Sequence, residues 1–292
     1  MADPITVGVI GATGKTGTSV VEGLLSSPTD FSVTSLTRAT SVDNSINQKF
    51  AAKGVHIVGY DLDGLSSALV EIQFSGRSMC SSPALHGNIW INRFRGLKLL
   101  RKLVFVPTVP SGRSDDAHMI YIDHRIVGDG NQKFGLIDLG DIGKYVSQIV
   151  SDPRTLNKTV FAYTDVLSMN EMWDIMAKAS GETPVKEYIS EAKVHEVIKE
   201  TRQRLDASSK PATHPDNVMD IANYNMGQYR ISWCIRGDNT PEYADYLGYV
   251  DFWNLFPDFP RGRTLAEFYR YVLDNDLSDL PGYPYTAAGV GK

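Results

Sequence analysis

The first sixty residues alternate apolar and polar positions in blocks that read as strand, helix, strand, helix, strand. "ITVGVI" (5–10) is a continuous apolar run, suited to a parallel strand buried on both faces. "TSVVEGLL" follows, with Val20, Val21, Leu24 and Leu25 at helical spacing. "FSVTSLTR" (31–38) and "GVHIVGYDL" (54–62) repeat the strand pattern on either side of the helix-like "SINQKFAAKG". Farther along, "FGLIDLGDIGKYVSQIV" predicts a strand, a turn and a helix with Ile142, Val146, Ile149 and Val150 on one face. Ser168-x-x-Glu171 and Thr264-x-x-Glu267 are capping boxes opening "MNEMWDIMAKAS" and "LAEFYRYVLDN", and Gly181 suits the exit of the first of these helices. "SEAKVHEVIKETRQRL" (190–205) predicts an amphipathic helix with Val194, Val197, Ile198 and Leu205 as its stripe and its charges as a solvated face.

One stretch breaks the pattern. From Gln73 to Arg113 there are six Lys or Arg residues before Arg113 and no acid, although the whole chain carries a net charge of −5. "LVFVPT" (103–108) offers one strand, and "RGLKLLRKL" is the only run there with convincing helical periodicity. The segment 73–110 reads as an internal deletion or a misjoined reading frame. The sharper alternative is a basic loop over phosphates.

Composition narrows the class. A chain of 292 residues, 42% hydrophobic and 22% charged, is long enough for a large core and ordinary for a soluble globular protein. The acidic balance argues against a nucleic-acid partner, because phosphate binding favours a basic surface. "MADPITVGVI" lacks the basic start and long apolar run of a signal peptide, and no stretch reaches the ~20 apolar residues of a membrane span. With only Cys80 and Cys234, far apart, the expectation is a reduced, cytoplasmic protein. His118 and His124 have no metal-ligand spacing, so no metal is expected. No Gly-x-Ser-x-Gly elbow suggests hydrolysis.

The chemistry begins at "GATGKTG" (11–17). Gly14-Lys15-Thr16 has the ending of a triphosphate loop, but the first glycine of that loop would fall at Val9, so the spacing fails. A dinucleotide turn fits. Gly11 allows the tight turn, Gly14 lets the backbone approach a pyrophosphate, and Gly17 lets helix and strand pack closely. Gly11, Thr13, Gly14, Lys15, Thr16 and Gly17 are therefore the candidate phosphate cradle, at a helix N-terminus where unpaired N–H groups favour an anion. Arg38 ends the second strand, where an acid would accept from an unphosphorylated ribose. An arginine there can instead fork onto a 2′-phosphate, which points to NADP(H), with Lys49 a second candidate cation. Asp61 stands at the carboxyl end of the third strand, open to a ligand role or to capping the helix from Ser66.

These residues resemble those of the NmrA-like and isoflavone-reductase-like branch of the atypical short-chain dehydrogenases. "GATGKTG" is similar to that family's GxxGxxG turn, and Arg38 falls where its NADPH-binding arginine stands. The resemblance resumes in "GDGN", "DIG" and "DPRTLNK" within residues 126–161 and continues towards "CIRGDNTPEYADYLGYVDFWNLFPDFPRGRTLAEFYRYV". It implies a Rossmann-like doubly wound parallel α/β sheet over residues 1–150, and a smaller α/β substrate region over 151–292, interleaved with the first. The break at 73–110 predicts loss of one or more central strands, because the family's intervening βα units take on the order of a hundred residues.

The same break leaves catalysis unassigned. The family's lysine has no counterpart with its flanking motif, since Lys98 and Lys102 lie in the altered segment. A Tyr-x-x-x-Lys pair is missing too, Tyr121-x-x-x-Arg125 being the nearest approach, and arginine's pKa is too high to share that proton work. The resemblance implies an NADPH-dependent reductase of a small aromatic or other secondary metabolite. Tyr224, Tyr229, Trp233, Tyr243, Tyr246, Tyr249, Phe252, Trp253 and Phe256 could wall a pocket for a planar substrate or simply pack a core. An NADP-sensing regulator with a protein partner and no turnover, or an inactive truncated homologue, is the alternative reading.

Overall fold

The computed structural model describes residues 3–60, 89–91, 125–183, 185–210 and 214–274. The chain forms two compact units, Met1–Lys98 with Leu139–Lys158 and Leu99–Asp138 with Thr159–Lys292. This division differs from a boundary at residue 150. Of the described residues, 125–138 join the second unit, and the helix after them, with its exit turn, returns to the first.

The first unit is a parallel sheet in the order β3-β2-β1-β4. β1 (Ile5–Ile10), β2 (Phe31–Arg38) and β3 (His56–Tyr60) form where the apolar runs lie. Val7, Val9, Val33 and Leu36 are buried, as strands covered on both faces require. α1 (Lys15–Leu25) and α2 (Ser45–Ala52) make the two crossovers. Val20, Val21 and Leu24 of α1 are buried.

On the other side of β1 lies β4 (Ile89–Ile91), parallel, with Val7 opposite Ile89 and Val9 opposite Ile91. The strand order therefore reverses beside β1, which defines the ligand crevice of such sheets. This strand was not among those the sequence offered. The stretch from Gln73 to Arg113 offered only Leu103–Thr108 as a strand, which lies outside the described residues, as does "RGLKLLRKL". The strand beside β1 comes from "IWI", too short to show a period. Three residues answer the six of β1, and among the described residues the sheet has no fifth strand.

α3 (Ile142–Ser151) belongs to the same unit and packs against α1 at backbone contact. A Cβ on Gly143 would lie 1.8 Å from the Ser19 carbonyl oxygen, and one on Gly23 would lie 2.1 Å from the Gly143 carbonyl carbon. Ser19 Oγ donates to the Gly140 carbonyl at 3.1 Å and accepts from the Gly143 N–H at 3.0 Å. The "DIG" motif is thus a packing device. "DPRTLNK" closes α3: Asp152 accepts from the Arg154 N–H, Thr155 Oγ1 reaches back to the Ile149 carbonyl, and Asn157 adopts φ +57°.

Among the described residues, the second unit holds three two-stranded ladders. β5 (Ile126–Val127) pairs with β9 (Tyr188–Ile189), β6 (Lys133–Leu136) with β8 (Asp165–Ser168), and β7 (Val160–Phe161) with β10 (Val250–Asp251). α4 (Met169–Ser180) carries the full capping box of Ser168 and Glu171 and exits through Gly181 at φ +74°. α5 (Glu191–Ala207) buries Val194 and half-buries Val197, Ile198 and Leu205, with Thr201 as an unexpected buried member of the stripe. It packs on α6 (Val218–Ile231), where Gly227 leaves room for Ile198. α7 (Pro241–Tyr246), α8 (Phe252–Leu255) and α9 (Leu265–Asp274) complete the unit. Ile126, Phe134, Met172, Met176, Trp233 and Tyr269 lie at its core. Among the described residues, no helix is long and apolar enough to cross a membrane.

Candidate functional site

The glycine turn joins β1 to α1 at the carboxyl edge of the sheet. Gly11 holds φ +74°, a conformation that a side chain disfavours, and its N–H reaches the Leu36 carbonyl of β2. The Gly14 N–H donates to the Gly11 carbonyl at 2.9 Å, which closes the turn. A Cβ on Gly17 would sit 2.1 Å from the Gly11 oxygen, so only glycine lets the first turn of α1 fold back onto the loop. Gly14 differs. Its φ of −77° suits any residue, and a Cβ would be 3.2 Å from Gly11 O.

α1 starts without a side-chain cap. Its first N–H groups point out of the helix start, as at every helix N-terminus. Thr13 is half-buried on the turn. The Thr16 hydroxyl is buried with no hydrogen-bond partner among the described residues. A buried, unanswered hydroxyl costs about 1–3 kcal/mol. An oxygen-rich anion at the helix start would answer both the hydroxyl and the free N–H groups. The cradle of residues 11–17 fits a pyrophosphate on these grounds.

Arg38 lies at the same edge. Ile10 pairs with Leu36, so Arg38 extends two residues past that register, level with the turn. It is exposed, and no carboxylate pairs with it among the described residues. Most other cations do have partners, such as Lys53 with Glu22 at 2.7 Å. Lys49 stands apart from this group. It is exposed in the last turn of α2, about 6 Å along the axis from the helix start. There its charge complements the helix C-terminus. Asp61, Lys98, Lys102, Tyr121, His118 and His124 all lie outside the described residues. Among the described residues no His, Cys, Asp and Glu cluster could hold a metal.

A polar hub links α2 to the strand that ends in Arg38 and to the loop after it. Asn47 of α2 is fully buried and bonds Ser35 of β2 and the carbonyl of Ser41. The available signal was "DNSIN", in which Asn44 caps α2 by accepting from the Asn47 N–H.

In the second unit the aromatic-rich segment sorts into core and surface. Phe252 is fully buried, with the rings of Trp253, Phe256 and Phe259 4.9–5.3 Å from its own. Trp253 Nε1 donates to the Tyr163 carbonyl, and Arg261 lies over the Trp253 ring. The Tyr163 hydroxyl donates to Asp251 at 3.0 Å, and burial together with that carboxylate pushes its pKa to about 12. It therefore keeps its proton at neutral pH. Tyr246 is 80% exposed and stacks on Tyr243.

A parallel sheet reversing beside β1, with a glycine turn leading into an uncapped helix, is the architecture of the dinucleotide-binding α/β oxidoreductases. Residues 105–241 match the NmrA-like family. The chain is 30% identical to asnovolin J 5',6'-dehydrogenase nvfM of Aspergillus novofumigatus over 325 aligned positions, which cover 94% of this chain and 97% of that protein. It is 33% identical to isoflavone reductase of Cicer arietinum over 46% of this chain and 36% of that one. The fold is similar to the leucoanthocyanidin reductase–NADPH binary complex from Vitis vinifera, with a TM-score of 0.61 at 17% identity, over 92% of this chain and all of that one. The chain belongs to the NmrA-like family. The alignment with the Aspergillus protein is longer than the 292 residues present, so this chain lacks residues that its relative has.

Proposed function

We propose that this protein is an NADPH-dependent reductase acting on a small aromatic or other secondary metabolite. The observation that carries the reading is Arg38, exposed and without a carboxylate partner among the described residues, level with a glycine turn whose helix start is unanswered. Relatives named as a dehydrogenase and an isoflavone reductase support it, and neither name supports a regulator without turnover. NADPH would supply the hydride. Gly11, Thr13, Gly14, Lys15, Thr16 and Gly17 would hold its pyrophosphate through backbone N–H groups and the Thr16 hydroxyl. Arg38 would fork onto the 2′-phosphate, with Lys49 contributing less. Residues 151–292 would supply the substrate wall, and the cytoplasm is the setting assigned to it. No residue is assigned to proton transfer.

Titration of NADPH and NADH into the wild type and Arg38→Ala tests the reading. The wild type should prefer NADPH, and Arg38→Ala should lose about 1.5–3 kcal/mol of NADPH binding while leaving NADH unchanged. Lys49→Ala should lose less. Equal wild-type affinities for the two cofactors would sink the assignment.

A further inference from the structure

Asn47 has no exposed surface, yet its side chain forms its bonds outside its own helix. Nδ2 donates to the Ser41 carbonyl at 2.8 Å, and Oδ1 accepts from Ser35 Oγ at 3.1 Å. Ser35 is itself fully buried in the middle of β2. The Asn47 N–H donates to Asn44 Oδ1 at 2.8 Å. Residues 41 and 44, both in the loop that follows Arg38, are thus tied to one buried residue. On the other side Gly59 of β3 makes room for the loop: a Cβ there would lie 2.7 Å from Val42 Cγ2 and 3.3 Å from Ala39 Cα.

An apolar side chain would fill the Asn47 position without burying an amide, which is costly unless both of its ends are bonded. The bonds that satisfy it run to β2 and to the loop, so their effect is to fix the loop's shape against the strand that ends in Arg38. The loop itself begins with a single 3-10 turn of short, exposed or half-buried side chains, Ala39-Thr40-Ser41.

We propose that Asn47 is a positioning residue that sets selectivity for the cofactor's 2′-phosphate, by holding Ala39–Asn44 in the shape that keeps Arg38 open to it. The inference rests on the NADPH reading above. It differs from that reading in naming a residue that never touches the cofactor.

Adenosine 2′,5′-bisphosphate and AMP differ only in the 2′-phosphate, so their ratio of affinities isolates this corner of the site. Both are titrated calorimetrically into the full chain as wild type, Asn47→Leu, Ser35→Ala, Arg38→Ala and the Asn47→Leu/Arg38→Ala double variant. Asn47→Leu should weaken the bisphosphate about tenfold, the scale of one or two hydrogen bonds, and leave AMP unchanged. It should cost nothing further once Arg38 is alanine. Ser35→Ala removes only the bond to β2 and keeps the tie to Ser41, so it reports about a threefold loss even if Asn47→Leu fails to fold. Equal losses for both nucleotides would mark Asn47 as structural only and overturn the proposal. A bisphosphate preference that vanishes in Arg38→Ala but survives Asn47→Leu and Ser35→Ala would overturn this proposal alone. A wild type without that preference would overturn the NADPH reading and this inference with it.

Discussion

α1 of the first unit starts differently from its neighbour α2, which Asn44 caps, and from most helices of the second unit, although α3 and α6 also start without a side-chain cap hydrogen bond. In the first, α1 begins at Gly14 with no side-chain cap and with the Thr16 hydroxyl buried and unanswered. In the second, Ser168 with Glu171 closes α4, Ser190 closes α5, Thr240 closes α7 and Asp251 closes α8. Thr264 and Glu267 close α9 reciprocally, and Asp165 accepts from the Leu265 N–H beside them. A start whose N–H groups are satisfied by side chains has little left to offer an anion, whereas an open start keeps that capacity. What sets α1 apart from the other uncapped starts is the buried, unanswered Thr16 hydroxyl.

The largest effect is expected where the first unit depends on backbone contact. Gly143→Ala would place a Cβ 1.8 Å from the Ser19 carbonyl oxygen. Neither backbone can yield, so the loss should be about 3 kcal/mol or more. Thermal unfolding reads it, and an unchanged Tm would show that α1 and α3 do not meet as described.

Gly14→Asp turns the open start into one like those of the second unit. Its backbone angles accept a side chain, and the carboxylate would cap α1 and complement its dipole. The cap should contribute at most about 1 kcal/mol to the unliganded protein, reduced by the 3.2 Å approach of the new Cβ to the Gly11 oxygen. NADPH binding should fall about a hundredfold through repulsion of the pyrophosphate. A stabilised variant with an unaltered NADPH Kd would show that the turn holds no phosphate.

The smallest effect is in the pH dependence of the second unit. The Ser168 and Thr264 N–H groups hold the Glu171 and Glu267 carboxyls below their usual value of 4.5. Because the folded pKa values are depressed, this stabilisation is complete above about pH 4.5 and is lost as pH falls through the folded values. Asp165 runs the other way: burial raises its carboxyl, so it favours the folded state at low pH and offsets part of the loss. Urea unfolding of Glu171→Gln/Glu267→Gln between about pH 5 and 3 should show a flatter acid limb than the wild type. Identical slopes would mean that the two boxes do not form in solution.

Periodicity and caps act over a few residues, which is why so much was legible in the chain itself. β1, β2 and β3, α1, both capping boxes and the stripe of α5 all follow from neighbours within about four residues. The glycine turn was legible for the same reason, since Gly11 and Gly17 meet within a single loop. Arg38 could be read as a cation at a strand's end, but whether a carboxylate neutralised it depended on where the folded chain brought its acids.

Tertiary structure alone decided the rest. β4 is three residues whose strand character comes from pairing with β1, because so short a run carries no period of its own. Ser19 and Gly143 are 124 residues apart, and nothing local in "DIG" says that its glycine must admit another helix. Asn47 looks like any polar residue in a short helix until β2 and the Ser41 carbonyl arrive on either side of it. Phe252 and Tyr246 have the same kind of side chain six residues apart, yet one is fully buried and the other 80% exposed. Hydrophobicity states what a residue can bury, and only the assembled elements determine whether there is anything to bury it against.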